Sequence, residues 1–177
     1  MIVVDVIDLI PLAMLGGLLG LDVVSFPQAM ISRPLVAATL AGALIGHSAT
    51  GLLVGATLEL IALETLPFGA SRYPEWGSAS VVGGAIFANH PDHSPGAMTL
   101  SVLAALATTW IGGWTMVKLR QANAVWAGQR REALEAGSRG AVISLQLLGM
   151  TADLLRVAIQ SRTWQEPSLR LGLETTL

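Results

Sequence analysis

The chain has 177 residues, 53% of them hydrophobic and only 12% charged, with a net charge of −2 and no cysteine. Soluble domains carry about 25% charged residues, so half that density, with a mean hydropathy of +0.62, points to lipid as the solvent. Disulfide staples and thiolate metal sites are excluded by composition, and the charge gives no reason to expect nucleic acid as a partner.

The opening "MIVVDVIDLI" has acidic residues where a cleaved signal wants lysine or arginine, so it reads as part of the mature chain. Asp5 and Asp8 read as marks of the membrane edge. The apolar stretches that follow are 2–24, 35–45, 52–66, 78–88, 98–117 and 141–159. A simple spanning helix needs about 20 apolar residues. Only the first and 98–117 reach that length. The shorter pieces are punctuated by "SRP", "GHSATG", "LPFGASRYP" and "NHPDHSPG", which predicts broken or re-entrant helices. Such backbone survives at membrane depth only where protein or a watery cavity satisfies it, and broken helices point to a transporter's substrate site. The 19 glycines suit the close approach of membrane helices, and Gly42, Gly46, Gly51 and Gly55 read as packing positions.

Four regions are expected. Residues 1–117 form a membrane domain with broken helices, and 118–140 a basic cytoplasmic connecting helix. Residues 141–164 form a further membrane or interfacial helix, and 165–177 a polar tail. Lys118, Arg120, Arg130, Arg131 and Arg139 put 118–140 on the cytoplasmic side by the positive-inside rule. Asp153 and Arg156, three residues apart, share a helix face where they can pair.

The stretch "GLLVGATLELIALETLPFGASRYPE" carries two carboxylates in an apolar run, each penalised by about 2.5–3.5 kcal/mol at a bilayer's centre. Glu59 and Glu64 are five residues apart, about 500° around a helix, so they point to different sides and form no acid/base pair. For Glu59, two readings stand: it caps backbone amides of the broken segment 67–74, or it accepts hydroxyls from a sugar. Glu64 is read as facing Arg72, water or a partner chain. Arg33, before Pro34, reads as an interfacial snorkel. His47 reads as a loop histidine. His90, Asp92 and His93 suggest a metal site, but turn chemistry explains them more simply. Phosphate loops, HExxH and Gly-x-Ser-x-Gly elbows are all missing, so no catalytic, cofactor or metal site is expected.

Several elements together resemble the membrane subunit IIC of the mannose/sorbose family of the bacterial sugar phosphotransferase system. These are Arg33-Pro34-Leu35-Val36, Gly46-His47-Ser48-Ala49-Thr50-Gly51, Gly55-Ala56-Thr57-Leu58-Glu59-Leu60, Gly69 through Pro74-Glu75, and "LLRVAIQ". They match that family's His-Arg-Pro-Leu start, Leu-Gly-Asp-x-x-Thr-Gly turn, Gly-x-Thr-Leu-Glu run, later Pro-Asp and "MRVAIP" element. His47 stands where the family has aspartate, Glu64 where it has glycine, Pro67 where it has asparagine, and Met30 at a common glutamine that Gln28 is placed to replace.

The resemblance implies an all-α integral membrane fold, one repeat of a IIC transporter with the start of the second. It implies a multi-pass inner-membrane subunit that binds and translocates a sugar, with Glu59, Gln28, Thr57, Glu64, Gly69, Ser71 and Arg72 as its substrate-binding residues. A IID-like membrane subunit, soluble IIA and IIB phosphoryl carriers, lipid and an oligomer are the implied partners. Phosphoryl transfer would lie on those carriers, so the chain is not expected to be an enzyme. A shortened IIC-like scaffold or regulatory subunit without independent transport is the alternative.

Overall fold

The computed structural model describes the backbone of residues 10–24, 30–64 and 74–174, and the side chains of 10–22, 30–64 and 74–160. The described residues form helices with no strand. They are α1 (Ile10–Val24), α2 (Pro34–Ile45), α3 (Ser48–Glu64), α4 (Trp76–Asn89), α5 (Pro95–Gln129), α6 (Arg131–Glu135) and α7 (Arg139–Glu174).

The helix boundaries follow the punctuation in the sequence. Pro34 opens α2 at a position where a missing N–H costs nothing. Gly46 closes it in the left-handed region at φ 95°, with open space around it; its role is to turn the chain, not to pack. Ser94 caps α5 by accepting the amide of Ala97 at 3.2 Å, and Pro95 follows it. In the loop before it, Asp92 Oδ1 accepts the Ser94 amide at 3.2 Å, so turn chemistry is visible in "NHPDHSPG". Helices α2, α3 and α4 have 12, 17 and 14 residues. At 1.5 Å per residue the longest reaches about 26 Å, short of a hydrocarbon core of about 30 Å. Among the described residues two helices are long and apolar enough to cross a membrane, α5 and the Arg139–Gln160 part of α7.

Helix α4 is the hub. Residues 76–88 are all buried, and α4 packs against α1, α2, α3, α5 and α7. Three glycines make this possible. A Cβ on Gly77 would sit 2.9 Å from the Leu19 carbonyl oxygen of α1, and one on Gly84 would sit 2.6 Å from that of Ala38 in α2. On Gly83 it would lie 3.1 Å from the Ser101 carbonyl oxygen of α5. The α2–α3 hairpin uses the same device, since Cβ atoms on Gly42 and Gly55 would strike backbone of the facing helix at 2.9–3.0 Å. Small residues at crossings let helix backbones approach where no hydrophobic drive exists between apolar helices.

Large apolar side chains cover the outside as well as the core. Leu44, Leu53, Leu60, Leu103, Trp110, Leu147, Leu155 and Ile159 face outward, while Glu75, Asp153 and Gln160 are buried. Helices α5 and α7 run side by side as a hairpin. Gly112 meets Arg156, Asn123 lies beside Gly149, and Arg130 bonds Ser144. Residues 118–140 hold the last turns of α5, the short α6 and a turn closed by Gly137 at φ 72°. The helix after that turn continues to Glu174.

Candidate functional site

Glu59 lies near the end of α3, and the antiparallel hairpin brings it to the start of α2. Its Oε2 accepts the Leu35 amide at 3.3 Å, and its Oε1 pairs with the Arg33 guanidinium. A carboxylate at a helix N-terminus meets unpaired amides and the positive end of the helix dipole. Arg33 is therefore ion-paired, with its side chain still half exposed. The amide that Glu59 caps belongs to α2; the alternative capping target, 67–74, lies mostly outside the described residues.

The remaining sugar-site candidates are dispersed or outside the description. Thr57 is half-buried and turns its hydroxyl back to the Leu53 carbonyl at 3.0 Å. Glu64 is exposed at the last position of α3. Gln28, Gly69, Ser71 and Arg72 lie outside the described residues. Asp22, at the end of α1, is buried and accepts the Ser32 amide at 3.1 Å, fixing a corner in which Met30 adopts φ 59°.

A second polar cluster lies inside the bundle, where α4, α5 and α7 meet. Arg156 is the centre of it. Its Nε and Nη2 donate to Asp153 Oδ1 at 2.9 and 2.7 Å. Its Nη1 donates to Glu75 Oε2 at 2.7 Å, to Thr115 Oγ1 at 2.9 Å and to the Gly112 carbonyl at 3.3 Å. Ser78 donates to the other Glu75 oxygen at 3.1 Å. One turn on, Gln160 Nε2 donates to the Thr108 carbonyl at 2.6 Å. The spacing of Asp153 and Arg156 announces half of this cluster. Glu75 is 81 residues away from Arg156 and escapes the sequence reading.

The signal that could have found Glu75 is the pairing rule for ionisable groups in apolar stretches: a buried charge needs a named partner. Glu75 occupies the Pro-Glu position and Arg156 the "RVAI" position of the elements that carry the family resemblance. The fork geometry of arginine suits a site shared by two carboxylates. The fit around it is tight, because a Cβ on Gly112 would sit 2.6 Å from Glu75 Oε2 and 3.1 Å from Gln160 Nε2.

At the α2–α3 and α4–α5 loops, the His47 and His93 rings lie 5.7 Å apart edge-on, and Phe87 packs edge-on to His93 at 5.4 Å. The Ser94 amide holds the Asp92 carboxyl below its ordinary value; partial desolvation opposes this, while the Ser94 hydroxyl and His90 add to it. Among the described residues no group of three His, Cys, Asp or Glu side chains is arranged to hold a metal ion.

Residues 6–162 match the family of sorbose-specific IIC components of the phosphotransferase system. The mannose-specific EIIC component of Escherichia coli (strain K12) is 29% identical over 128 residues, covering 72% of this chain and 46% of that protein. The fructose permease IIC component of Bacillus subtilis (strain 168) is 27% identical over 153 residues, 86% of this chain and 55% of that protein. A sorbose-specific EIIC component from Lacticaseibacillus casei is 30% identical over 129 residues, 72% of this chain and 44% of that protein. The chain thus spans about half the length of the curated relatives it matches. The cryo-EM structure of the mannose transporter ManYZ with microcin E492 shares the fold, with a TM-score of 0.74 at 23% identity over 93% of this chain and 64% of that one.

Proposed function

The chain belongs to the family of sorbose-specific IIC components of the phosphotransferase system, and on that premise we propose that it is a sugar-binding, sugar-translocating membrane subunit. It crosses the inner membrane several times and works with a IID-like membrane subunit. The incoming sugar is phosphorylated by soluble IIA and IIB carriers, so this chain performs no phosphoryl transfer itself. The hexoses named for its relatives, mannose, sorbose and fructose, are the substrate class. The basic end of the α5–α7 hairpin faces the cytoplasm.

The observation that carries this reading is the ion cluster at Arg156, enclosed in helices whose outer faces are leucine-rich. Ionisable groups kept inside a membrane protein at such expense mark substrate paths by default. Glu59 is the proposed sugar-hydroxyl acceptor, near the end of α3 and beside the start of α2. Gln28, Thr57, Glu64, Gly69, Ser71 and Arg72 remain proposed members of the same site.

Hexose binding to membranes carrying the chain with its partner subunits tests this reading. Glu59→Gln keeps the volume and removes the charge. It is expected to weaken binding by about 1.5–3 kcal/mol, roughly ten- to hundred-fold. Glu64→Gln, pointing elsewhere, should change it far less. A scaffold without transport is the second reading, favoured by the way Arg33 and the Leu35 amide already occupy the Glu59 carboxylate. Absence of any hexose binding, with the protein folded and inserted, would decide for it.

A further inference from the structure

Beyond the ion cluster, toward the basic end of the hairpin, α5 and α7 line a half-open cavity of about 650 Å³. That is within the range of small-molecule sites, about 300–1,000 Å³. It runs along α5 from Met116 to Ala127, about 16 Å at the helical rise. Its wall is mixed. Arg120, Asn123 and Trp126 come from α5; Gln146, Gly149 and Asp153 come from α7.

Three features narrow the occupant. Asn123 Oδ1 is buried without a hydrogen-bond partner, an uncommon state that calls for a donor from outside the chain. The polar wall holds one cation, one anion and two amides, so it favours a neutral ligand with several hydroxyls over an ion. Trp126 adds an amphipathic aromatic surface against which the C–H face of such a ligand can lie. At its inner end, Asp153 belongs to both the cavity and the buried cluster.

We infer that the cavity between the second halves of α5 and α7 is an inner hexose subsite, separate from Glu59, with Asn123, Gln146 and Asp153 as its hydrogen-bonding residues. The inference rests on the sugar-transport reading above and adds a second station on the path. The sugar occupies it after leaving the Glu59 region, on the side where the basic residues stand. Asn123 accepts a sugar hydroxyl at Oδ1.

The absence of native cysteine allows a direct test in the full chain, in membranes with its partner subunits. A Cβ on Gly149 meets only Asn123 side-chain atoms, at the ordinary distances of 3.5–3.8 Å, so Gly149→Cys places a thiol in the cavity wall. Gly128→Cys, whose Cβ has nothing within 4 Å, is the control. Each is labelled with a membrane-permeant maleimide, with and without mannose, sorbose or fructose.

At about ten times its Kd for this subsite, a bound hexose should slow labelling of the Gly149→Cys protein about ten-fold, the factor by which it empties the free site. The control thiol should be unaffected. Adding Asn123→Ala should abolish the protection while hexose still binds at the Glu59 region. Hexose binding without protection of the cavity thiol would overturn the inference and leave the transport reading standing. So would protection that survives Asn123→Ala, or a cavity thiol that reacts only after partner subunits are stripped away, which would mean that a helix fills the cavity. If no hexose binds in any arm, the transport reading fails and takes the subsite with it.

Discussion

Helices α5 and α7 meet twice, under opposite rules. Around Gly112 and Arg156 their contact is tight, polar and ion-paired, and α4 covers it. Around Asn123 and Gly149 the same two helices line a half-open cavity, leave an amide oxygen unpaired, and turn Val142, Ile143, Leu147 and Leu148 outward. The difference shows that the hairpin is not one uniform membrane span. Its two apolar stretches are staggered, because Gly112 faces Arg156 and Arg130 bonds Ser144. The charged part of α5 therefore lies level with the apolar start of α7. At about 52 Å, the 35 residues of α5 exceed the hydrocarbon core by roughly 20 Å. The half of the hairpin around Arg156 is a structural joint, and the half toward Gly128 is an arm with room for a ligand.

Substitutions in and around the two halves sharpen that contrast. Arg156→Ala should have the largest effect, because it strands two buried carboxylates. Breaking a buried pair costs about 3–5 kcal/mol, which denaturant unfolding in detergent should reveal as a large loss of stability. An Arg156→Ala protein as stable as the parent would show that the cluster is solvated and not a joint. Gly84→Ala comes next, at about 1–3 kcal/mol of overpacking, since its Cβ would meet backbone atoms of Ala38 at 2.6–2.8 Å. In the arm, Gly128→Ala should move the other way, toward about 0.5–1 kcal/mol of added stability in the same unfolding measurement.

Asn123→Leu tests the arm's polar wall. Replacing an unpaired buried amide by an apolar group of similar size should be neutral, or stabilise the ligand-free protein by up to about 1 kcal/mol. A substantial loss would mean that the amide has a structural partner. Asp92→Asn, at the opposite end of α5, should be the smallest change. The folded carboxyl sits below its ordinary value, so its contribution is present above about pH 4 and disappears as the pH falls through the lowered value. Parent and variant should unfold alike below the lowered value, with the parent slightly ahead at neutral pH.

Much of the fold was legible because apolar runs and Gly/Pro punctuation obey local rules. The stretches 35–45, 78–88 and 98–117 reappear inside α2, α4 and α5, and the i, i+3 spacing of Asp153 and Arg156 became a real ion pair. What was not legible depended on distant chain. Nothing local to "RYPEWGS" says that Glu75 meets an arginine 81 residues on. Gly46 resembled its neighbouring glycines, yet its positive φ depends on turn geometry rather than on helix crossing. The apolar count for α7 gave 141–159, whereas the helix runs from Arg139 to Glu174, because an apolar count is blind to the polar part of a helix. For the Glu59 region, the sequence supplied the family motif, and the partners Arg33 and Leu35 came only from the antiparallel turn.

The burial of α4 on every side has a consequence for biogenesis. A ribosome makes α4 before α5 and α7, so its glycine-lined surfaces and Glu75 leave the exit tunnel without the neighbours that will cover them. A 14-residue helix with an unpaired carboxylate is a poor client for lateral release into lipid. Its ion pair can form only after the chain has grown 81 residues beyond Glu75, to Arg156. Until then Glu75 lacks the guanidinium that pairs with it in the folded chain.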